Sequence, residues 1–189
     1  MEEKEIINQI HEEYSKQLKN VSVPHNKLVI CFSGIPGSGK THISKILEKR
    51  YKGVRIRGDS IRQIVKNLGL EIDKYTYNYL EWLDYNYSFK NKLMILDGGM
   101  DRRYRRTFQV LKNNGYRIFI IRLKASKEKA QERVFAMHGG YEQHFVDNID
   151  RWIMENKEFG KNVKPDIEIE NENKLNLKPL FLKLDKLIN

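Results

Sequence analysis

The sequence predicts a single three-layer α/β domain in which a five-stranded, mainly parallel sheet is covered by helices on both faces. Apolar runs rich in β-branched residues alternate with stretches whose apolar residues recur at helical spacing. The chain has 189 residues, of which 40% are hydrophobic, so it suits one domain with a good core rather than two full domains. We therefore expect residues 1–189 to form one domain, with residues 1–22 as an N-terminal helical extension.

Strands and helices can be placed along the chain in order. Strands are predicted at residues 27–32, 54–57, 92–97, 116–123 and 166–169. Helices are predicted at residues 2–20, 40–51, from about Ser60, within 73–90, and at 102–114, 127–137, 143–160 and 177–188. The apolar stripe of the first helix is expected to pack on its own domain. In such a sheet, ligands bind beyond the carboxyl ends of the strands.

Net charge, cysteine content and the absence of targeting patterns indicate which ligands and which compartment to expect for this protein. Lysine and arginine number 35 against 25 acidic residues, a formal net charge of +10, which suits a protein that handles phosphorylated molecules or nucleic acid. The single cysteine, Cys31, excludes a disulfide framework within the chain, and its place in the first strand favours a buried thiol. The N-terminus lacks a signal-peptide pattern, and no apolar run reaches membrane-spanning length. A cytoplasmic protein without a membrane partner is expected.

A glycine-rich loop between the first strand and the following helix fits the pattern G-x-x-x-x-G-K-[ST]. Its backbone N–H groups and the positive end of the next helix would attract phosphate groups. Lys40 would reach the terminal phosphates, and the Thr41 hydroxyl would hold a magnesium ion. The loop therefore predicts that ATP and Mg²⁺ bind here. Its eight residues are Gly34, Ile35, Pro36, Gly37, Ser38, Gly39, Lys40 and Thr41.

Asp59 and Arg62 are candidates for phosphoryl transfer to an acceptor. Asp59 follows the second strand, where an acceptor hydroxyl could meet the γ-phosphate, so it could serve as the general base. Arg62 lies one helical turn further on and could bind a neighbouring anion. The alternative is that Asp59 caps the helix while Arg62 is a surface charge.

Asp97 ends the third predicted strand, where its carboxylate could hold magnesium through water or bind the acceptor. Without either task, a buried carboxylate at this position would be costly. Four arginines follow, at positions 102, 103, 105 and 106. On a helix they would point in different directions, and we favour Arg103 and Arg106, which lie one turn apart, as acceptor ligands.

Residues 133–161 are predicted to form a lid over the site. Gly139 and Gly140 would provide the joint between its two helices, and closure would exclude water from the transferring phosphoryl group. Arg133 before the joint and Arg151 after it could both reach that group, and arginine suits the task because its charge is permanent and forked. Arg133 is the better candidate. Arg151 is the second candidate, although it could equally lie on an outer face.

The stretch 73–90 is unusually rich in tyrosine and tryptophan. Leu80, Leu83 and Tyr87 recur at helical spacing, so part of the stretch belongs to the core. The remaining aromatic side chains leave two interpretations open. They could pack within the domain, or they could stack against an aromatic or sugar-bearing acceptor.

The phosphate loop, Gly58-Asp59-Ser60-Ile61-Arg62 and Leu96-Asp97 together resemble the small P-loop kinases. They are most similar to the branch of polynucleotide 5′-kinases, zeta toxins and adenylylsulfate kinases, over residues 27–170. The resemblance implies a P-loop NTPase fold with strand order 2-3-1-4-5, Asp59 as general base, Arg62 as acceptor ligand and lid arginines over the β- and γ-phosphates. Many relatives carry two arginines a turn apart on the lid helix, whereas here Arg133 stands alone.

The leading hypothesis is a magnesium-dependent kinase that transfers the γ-phosphate of ATP to a hydroxyl. The acceptor could be a nucleic acid 5′-end, a small nucleotide or another small polar molecule. The alternative is a nucleotide-dependent switch or ATPase without an acceptor. Against that alternative, the pair Asp59 and Arg62 would have no role, and no glutamate follows Asp97.

Overall fold

The computed structural model describes residues 2–18, 27–86, 93–137, 140, 142–173 and 175–188, without the side chains of 84–86. Its strands are β1 (Leu28–Ser33), β2 (Val54–Arg57), β3 (Met94–Gly99), β4 (Arg117–Lys124) and β5 (Ile167–Glu170). The helices in this part of the chain are α1 (Glu3–Ser15), α2 (Lys40–Tyr51), α3 (Gly58–Asn67), α4 (Ile72–Asn86), α5 (Tyr104–Asn113), α6 (Lys127–Phe135), α7 (Glu142–Asn162) and α8 (Lys178–Ile188). None of the described helices is long and apolar enough to cross a membrane.

The five strands form one sheet in the order β2-β3-β1-β4-β5, and every neighbouring pair is parallel. The predicted fold class and strand order are therefore confirmed, and the sheet is wholly parallel. Because all strands run the same way, their carboxyl ends lie at one edge of the sheet. The phosphate loop follows β1 at this edge, and the segments after β2, β3 and β4 begin beside it.

The central strand β1 is buried along its whole length, as expected of a parallel strand covered on both faces. Val29 and Cys31 contribute to a core shared with residues of α1, α3, α4 and α5. Ile30 and Phe32 point to the opposite face, into a core shared with α2 and α8. The alternation places Cys31 in the interior, where its thiol is buried and forms no disulfide, as predicted.

Helix α1 packs on its own domain, which confirms the prediction for its apolar stripe. Ile6, Ile7, Ile10 and Tyr14 are buried in the same core as Cys31. The Tyr14 hydroxyl also accepts a hydrogen bond from the backbone N–H of Arg57 at 2.8 Å. That contact satisfies a donor of strand β2, which is an edge strand of the sheet that the described residues form.

Two helix starts differ from the prediction, and both bear on the site. Helix α3 begins at Gly58 with Arg57 as its N-cap, so Asp59 lies within the first turn and does not cap the helix. Helix α5 begins only at Tyr104, because strand β3 runs on to Gly99 and Met100 still bonds to β1, its N–H donating to the Phe32 carbonyl at 2.9 Å. The segment 101–103 is consequently a turn outside the helix.

Candidate active site

The phosphate loop is shaped by contacts with elements that follow much later in the chain. Gly37 and Gly39 have φ values of +79° and +101°. Residues other than glycine rarely adopt this backbone conformation. A Cβ on Gly37 would overlap the backbone of Ala130 in α6, and one on Gly39 would overlap the side-chain amide of Asn171. Glycine is therefore needed at both positions for close packing as well as for backbone conformation.

Lys40, the first residue of α2, is tied across the loop. Its ammonium donates to the carbonyls of Gly34 at 2.6 Å and Ile35 at 2.8 Å. Burial lowers the pKa of Lys40, while the nearby carboxylates of Asp101, Asp97 and Asp59 raise it. A cation surrounded by carboxylates and loop carbonyls is well placed to bind the phosphates of a nucleotide.

The two predicted magnesium ligands lie next to each other. The Thr41 hydroxyl donates to the Asp97 carboxylate at 3.0 Å, across 56 residues of sequence. Asp97 is buried, which raises its pKa, whereas hydrogen bonds from Ser44 and Thr41 and the charge of Arg55 lower it. A hydroxyl and a carboxylate that meet at the start of α2 could hold Mg²⁺ together with phosphate oxygens.

In the described part of the chain, no group of three or more His, Cys, Asp or Glu residues could hold a metal ion. A magnesium site formed by Thr41 and Asp97 would share the ion with phosphate oxygens of a bound nucleotide. The residues present fit such a shared site. Backbone N–H groups at the start of α2, the Lys40 ammonium and the Thr41–Asp97 pair all lie at the carboxyl end of β1 or β3. Binding of a nucleoside triphosphate with Mg²⁺ is chemically consistent with this donor set.

Arg55 is a buried neighbour of Asp97 that the sequence did not single out. Its guanidinium lies 3.6 Å from Asp97 Oδ2 and 3.3 Å from Glu48 Oε2, and the Arg55 side chain is 7% exposed. Its Nε and Nη1 atoms are buried without a hydrogen-bond partner among the described residues. The alternation of β2 places Arg55 on the face opposite Val54 and Ile56. Because helices cover both faces of a parallel sheet, that position was open to burial, but the alternation alone did not predict a buried arginine.

Asp101 is a second carboxylate that sequence reasoning passed over. Its oxygens accept hydrogen bonds from Ser33 Oγ at 2.6 Å, the backbone N–H of Gly34 at 3.2 Å and Asn156 Nδ2 at 3.0 Å. Asp101 is thus attached to the first residues of the phosphate loop. The four arginines that follow it drew attention in the sequence, and the carboxylate before them did not.

Arg133 reaches the phosphate loop from α6. Its guanidinium donates to the carbonyl of Gly37 at 3.3 Å and to the carbonyls of Asn171 at 2.6 Å and Glu172 at 3.3 Å. Asn171 is itself buried, and its amide donates to the Ser38 carbonyl at 2.9 Å. Arg133 therefore lies beside the loop, and its contact with a phosphoryl group stays a prediction. Asn171 is a further loop contact that the sequence did not reveal.

Asp59 is exposed at the start of α3. Its carboxylate raises the pKa of both Lys40 and Asp97, so it lies close enough to both for their charges to interact. Among the described residues it accepts no hydrogen bond and forms no ion pair. Arg62, in contrast, forms an exposed ion pair with Asp73 of α4 at 2.9 Å.

The arginines after Asp101 mainly connect helices. Arg102 pairs with Glu155 of α7 at 2.6 Å and Arg105 approaches Glu158 of the same helix at 3.9 Å. Arg106 pairs with Glu81 of α4. Arg103 is the N-cap of α5 and is partly exposed; its role as an acceptor ligand stays a prediction.

The predicted lid, residues 133–161, includes the end of α6 and nearly all of α7, and these two helices share a small apolar core with the phosphate loop. That core includes Ile35 of the loop, Val134 of α6 and Phe145 of α7. Arg151 is exposed and lies 3.7 Å from Glu155 on its own helix. Of the predicted joint, residue 139 lies outside the described residues, and lid closure stays a prediction.

Three described aromatic residues of the stretch 73–90, Tyr75, Tyr79 and Trp82, pack within the domain, whereas Tyr77 is exposed. Tyr79 is fully buried, and its ring stacks on that of Trp82 with centroids 5.8 Å apart. Tyr79 also bonds to His11 of α1 at 3.0 Å. The Tyr85 side chain and residues 87–90 lie outside the described part of the chain.

Comparison with solved structures finds similar folds at low sequence identity. A chain of the PezAT chromosomal toxin–antitoxin system of Streptococcus pneumoniae has a TM-score of 0.66 at 17% identity, over 93% of this chain and 80% of that one. An APS kinase of Mycobacterium tuberculosis, in complex with AMPPNP and APS, gives 0.55 at 12%, over 87% and 98%. Shikimate kinase of Acinetobacter baumannii, in complex with shikimate, gives 0.53 at 16%, over 88% and 93%. These likenesses establish the fold.

The sequence comparisons differ in outcome. None of the curated proteins matches the chain significantly. A family model described as an AAA domain matches residues 30–138, more than half of the 189 residues. That span runs from β1 through the phosphate loop, Asp59, Asp97 and Asp101 to Arg133. The chain therefore belongs to the AAA domain family (AAA_18).

Proposed function

We propose that this protein is an ATP- and magnesium-dependent kinase that transfers the γ-phosphate to a hydroxyl of a nucleotide-like molecule, a polynucleotide 5′-end or another small acceptor. The observation that carries the proposal is the Asp59 carboxylate. It is exposed and makes no hydrogen bond or ion pair with a described residue. It lies close enough to Lys40 and Asp97 for its charge to raise the pKa of both groups. A free carboxylate beside a phosphate site is suited to accept a proton.

In the proposed phosphoryl transfer, each residue of the site would have a separate role. Loop N–H groups and Lys40 would bind the β- and γ-phosphates, and Thr41 and Asp97 would hold Mg²⁺, which supplies neutralisation of phosphate charge. Asp59 would accept the proton of the acceptor hydroxyl while that oxygen bonds to the γ-phosphorus. The bond from the γ-phosphorus to the bridging oxygen breaks, and ADP leaves. Arg133 would have to exchange a carbonyl contact on Gly37 or Asn171 for a phosphate oxygen.

Two of the structural neighbours support this proposal through what their names say. Shikimate kinase and APS kinase are kinases of small acceptors, and both share the fold at TM-scores of 0.53 and 0.55. The motifs of the phosphate loop, Asp59–Arg62 and Asp97 agree with the polynucleotide 5′-kinase, zeta toxin and adenylylsulfate kinase branch. We place the protein in that branch as part of the proposal.

The alternative is a nucleotide-dependent ATPase or switch without an acceptor. One observation favours it: Arg62, the predicted acceptor ligand, already carries Asp73 as its partner. The exposure of both side chains weakens this argument, because such a pair contributes only about 0–1 kcal/mol and an anionic acceptor could displace it.

The test is transfer of labelled γ-phosphate from ATP, with and without Mg²⁺, to a panel of acceptors. The panel contains 5′-hydroxyl DNA and RNA oligomers, nucleosides, nucleotide-sugars, adenylylsulfate and shikimate. Lys40→Ala serves as the blank, and Lys45→Ala, an exposed lysine one turn further along α2, serves as its matched control. We expect label on one acceptor class with the wild type and Lys45→Ala only. ATP hydrolysis without labelled acceptor, unchanged in Asp59→Asn, would contradict the kinase and support the ATPase.

A further inference from the structure

The polar contacts of Asp101 fix the beginning of the phosphate loop. Its carboxylate accepts from the Ser33 hydroxyl and from the Gly34 N–H, at 2.6 Å and 3.2 Å. The Gly34 carbonyl in turn accepts from Lys40 at 2.6 Å. Gly34 is thus held at its N–H by Asp101 and at its carbonyl by Lys40, and both groups of this glycine are committed before a nucleotide binds.

Helix α7 reaches the same point through a single side chain. Asn156 Nδ2 donates to Ser33 Oγ at 2.9 Å and to Asp101 Oδ1 at 3.0 Å. The other end of the amide, Oδ1, accepts from Arg122 Nη2 at 3.3 Å. Arg122 is the β4 residue that pairs with Ser33 in the sheet. Donor and acceptor groups of the amide are therefore both used, which fixes its orientation.

The backbone of α7 is adapted to this contact. One turn after Asn156 stands Gly160, and a Cβ at this position would overlap the guanidinium of Arg122. The glycine lets Arg122 lie against the helix and hold Asn156 toward the loop. Two neighbouring ion pairs, Arg102–Glu155 and Arg105–Glu158, join α7 to the segment 101–105 without a contact to the loop.

We propose that Asp101 and Asn156 are positioning residues that make the nucleotide affinity of the phosphate loop depend on the docking of α7. When Asn156 is in place, Asp101 is oriented and the first turn of the loop is already ordered. When the contact is lost, the loop becomes ordered only as the nucleotide binds. The entropy cost of that ordering reduces the binding free energy and therefore lowers the affinity. The proposal rests on nucleotide binding at the loop and is independent of which acceptor is used.

The first test is a double-mutant cycle on the dissociation constant of ATP, measured by calorimetry with Mg²⁺ present. Asn156→Ala changes no charge, and we expect it to weaken binding about tenfold in the wild-type background. In an Asp101→Ala background the same change should weaken binding less than about twofold, because the oxygen that accepts from Asn156 is already gone. Alanine is chosen because it removes both accepting oxygens of residue 101, whereas an asparagine could turn its amide oxygen toward Asn156 and lose only the bond from Gly34.

Glu158→Gln is the matched control. It removes the carboxylate that faces Arg105 at the same helix junction, at a position that does not contact the loop, and should change ATP affinity less than about twofold. Equal weakening by Asn156→Ala in both backgrounds, or by Glu158→Gln, would overturn the proposal. ATP binding that is normal in Asn156→Ala would overturn it too, while leaving nucleotide binding itself intact.

A second measurement needs no substitution. If α7 docking favours ATP binding, ATP binding must favour α7 docking to the same extent. Hydrogen exchange in the second half of α7 should therefore slow when ATP is added to the wild-type protein. Unchanged exchange at saturating ATP would contradict the coupling. A wild-type protein that fails to bind ATP at all would contradict nucleotide binding as well, so the two failures are distinguishable.

Discussion

The phosphate-binding side and the acceptor side of the candidate site differ in how their polar groups are held. On the phosphate side, buried side chains such as Asp97 and Asn171 bond to the loop or to α2 at 2.9–3.0 Å. On the acceptor side, Asp59 is exposed without a described partner, and Arg62 forms an ion pair that is open to solvent. Both sides lie at the carboxyl edge of the same sheet.

The difference teaches where this fold is rigid and where it is adaptable. A buried polar group without its partner is costly, so the contacts around the loop hold one geometry. Exposed charges exchange partners with water at little cost, so the side with Asp59 and Arg62, where we propose that the acceptor binds, would be able to accommodate a ligand. The same architecture could thus keep its nucleotide site while changing its acceptor.

The largest effect should come from Asp59→Asn, which separates the two sides. If Asp59 is the general base, transfer to the acceptor should fall by about 10²–10⁴-fold, because the amide cannot take the proton. The dissociation constant of ATP should change less than about twofold, since Asp59 holds none of the loop contacts. Steady-state transfer and ATP titration of the same preparation provide both numbers.

Glu71→Gln is the control for that experiment, because it neutralises an exposed carboxylate in the connection between α3 and α4. It should leave transfer and ATP affinity as in the wild type. A comparable loss of transfer in both variants would mean that general surface charge, and not the position of Asp59, supports the reaction.

A buried and an exposed ion pair offer the next comparison. Arg55→Met leaves the buried Asp97 carboxylate without its cation, and we expect the free energy of unfolding to fall by about 3 kcal/mol. This value is at the lower end of the loss expected when one partner of a buried ion pair is removed. Arg55 Nε and Nη1 are buried without hydrogen bonds, so the substitution also removes the cost of keeping these two atoms away from water. Arg62→Met breaks the exposed pair with Asp73 and should cost at most about 1 kcal/mol.

Urea unfolding of both variants without nucleotide would measure this difference. Equal losses of unfolding free energy would show that burial does not distinguish the two pairs. A stabilised Arg55→Met variant would mean that the desolvation cost of the guanidinium exceeds its attraction to Asp97 and Glu48.

A smaller effect is expected from Asn171→Ala at the far side of the loop. The substitution leaves the buried Ser38 carbonyl without the donor at 2.9 Å and should lower the free energy of unfolding by about 1–2 kcal/mol. ATP affinity should fall in parallel, since the loop loses a contact at its centre. Asn162→Ala, in the exposed last turn of α7, is the matched control and should be near neutral in both measurements.

The smallest effect should be the pH dependence of an exposed contact remote from the site. Asp185 of α8 accepts hydrogen bonds from Tyr51 and Arg50 at the end of α2. The Tyr51 hydroxyl, and to a smaller extent the Arg50 guanidinium, lower the pKa of Asp185. A lowered folded-state pKa stabilises the fold above the ordinary carboxyl pKa of about 3.9, and the gain is lost as pH falls through the folded value. As pH falls below about 5, the wild type should lose slightly more unfolding free energy than Asp185→Asn.

The partner group in that contact titrates in the opposite direction. Burial and the hydrogen bond to Asp185 raise the pKa of Tyr51 to about 12. Its stabilisation is complete below the ordinary tyrosine pKa of about 10 and is lost as pH rises through the folded value. Absorbance titration of the phenolate in wild type and Asp185→Asn would detect the change, and identical curves would contradict the contact.

The sequence by itself determined the fold class, the strand order by resemblance, and the phosphate loop with Lys40 and Thr41. These follow from patterns that are local or periodic: eight adjacent residues make the loop, and continuous burial marks β1 as a strand covered on both faces. Asp97 could also be placed, because a carboxylate at the end of an apolar strand in a parallel sheet has few positions to occupy.

Only the tertiary structure decided the partners that hold these residues. Arg55, Asp101, Asn156 and Asn171 are ordinary polar types, and each becomes important through a contact with a distant segment. Asn156 meets Ser33 across 123 residues of sequence, and Asn171 meets Ser38 across 133. Such contacts depend on which segments the sheet and helices bring together; Asn67 and Asn113, of the same residue type as Asn156 and Asn171, are exposed. Packing, not residue type, selects them.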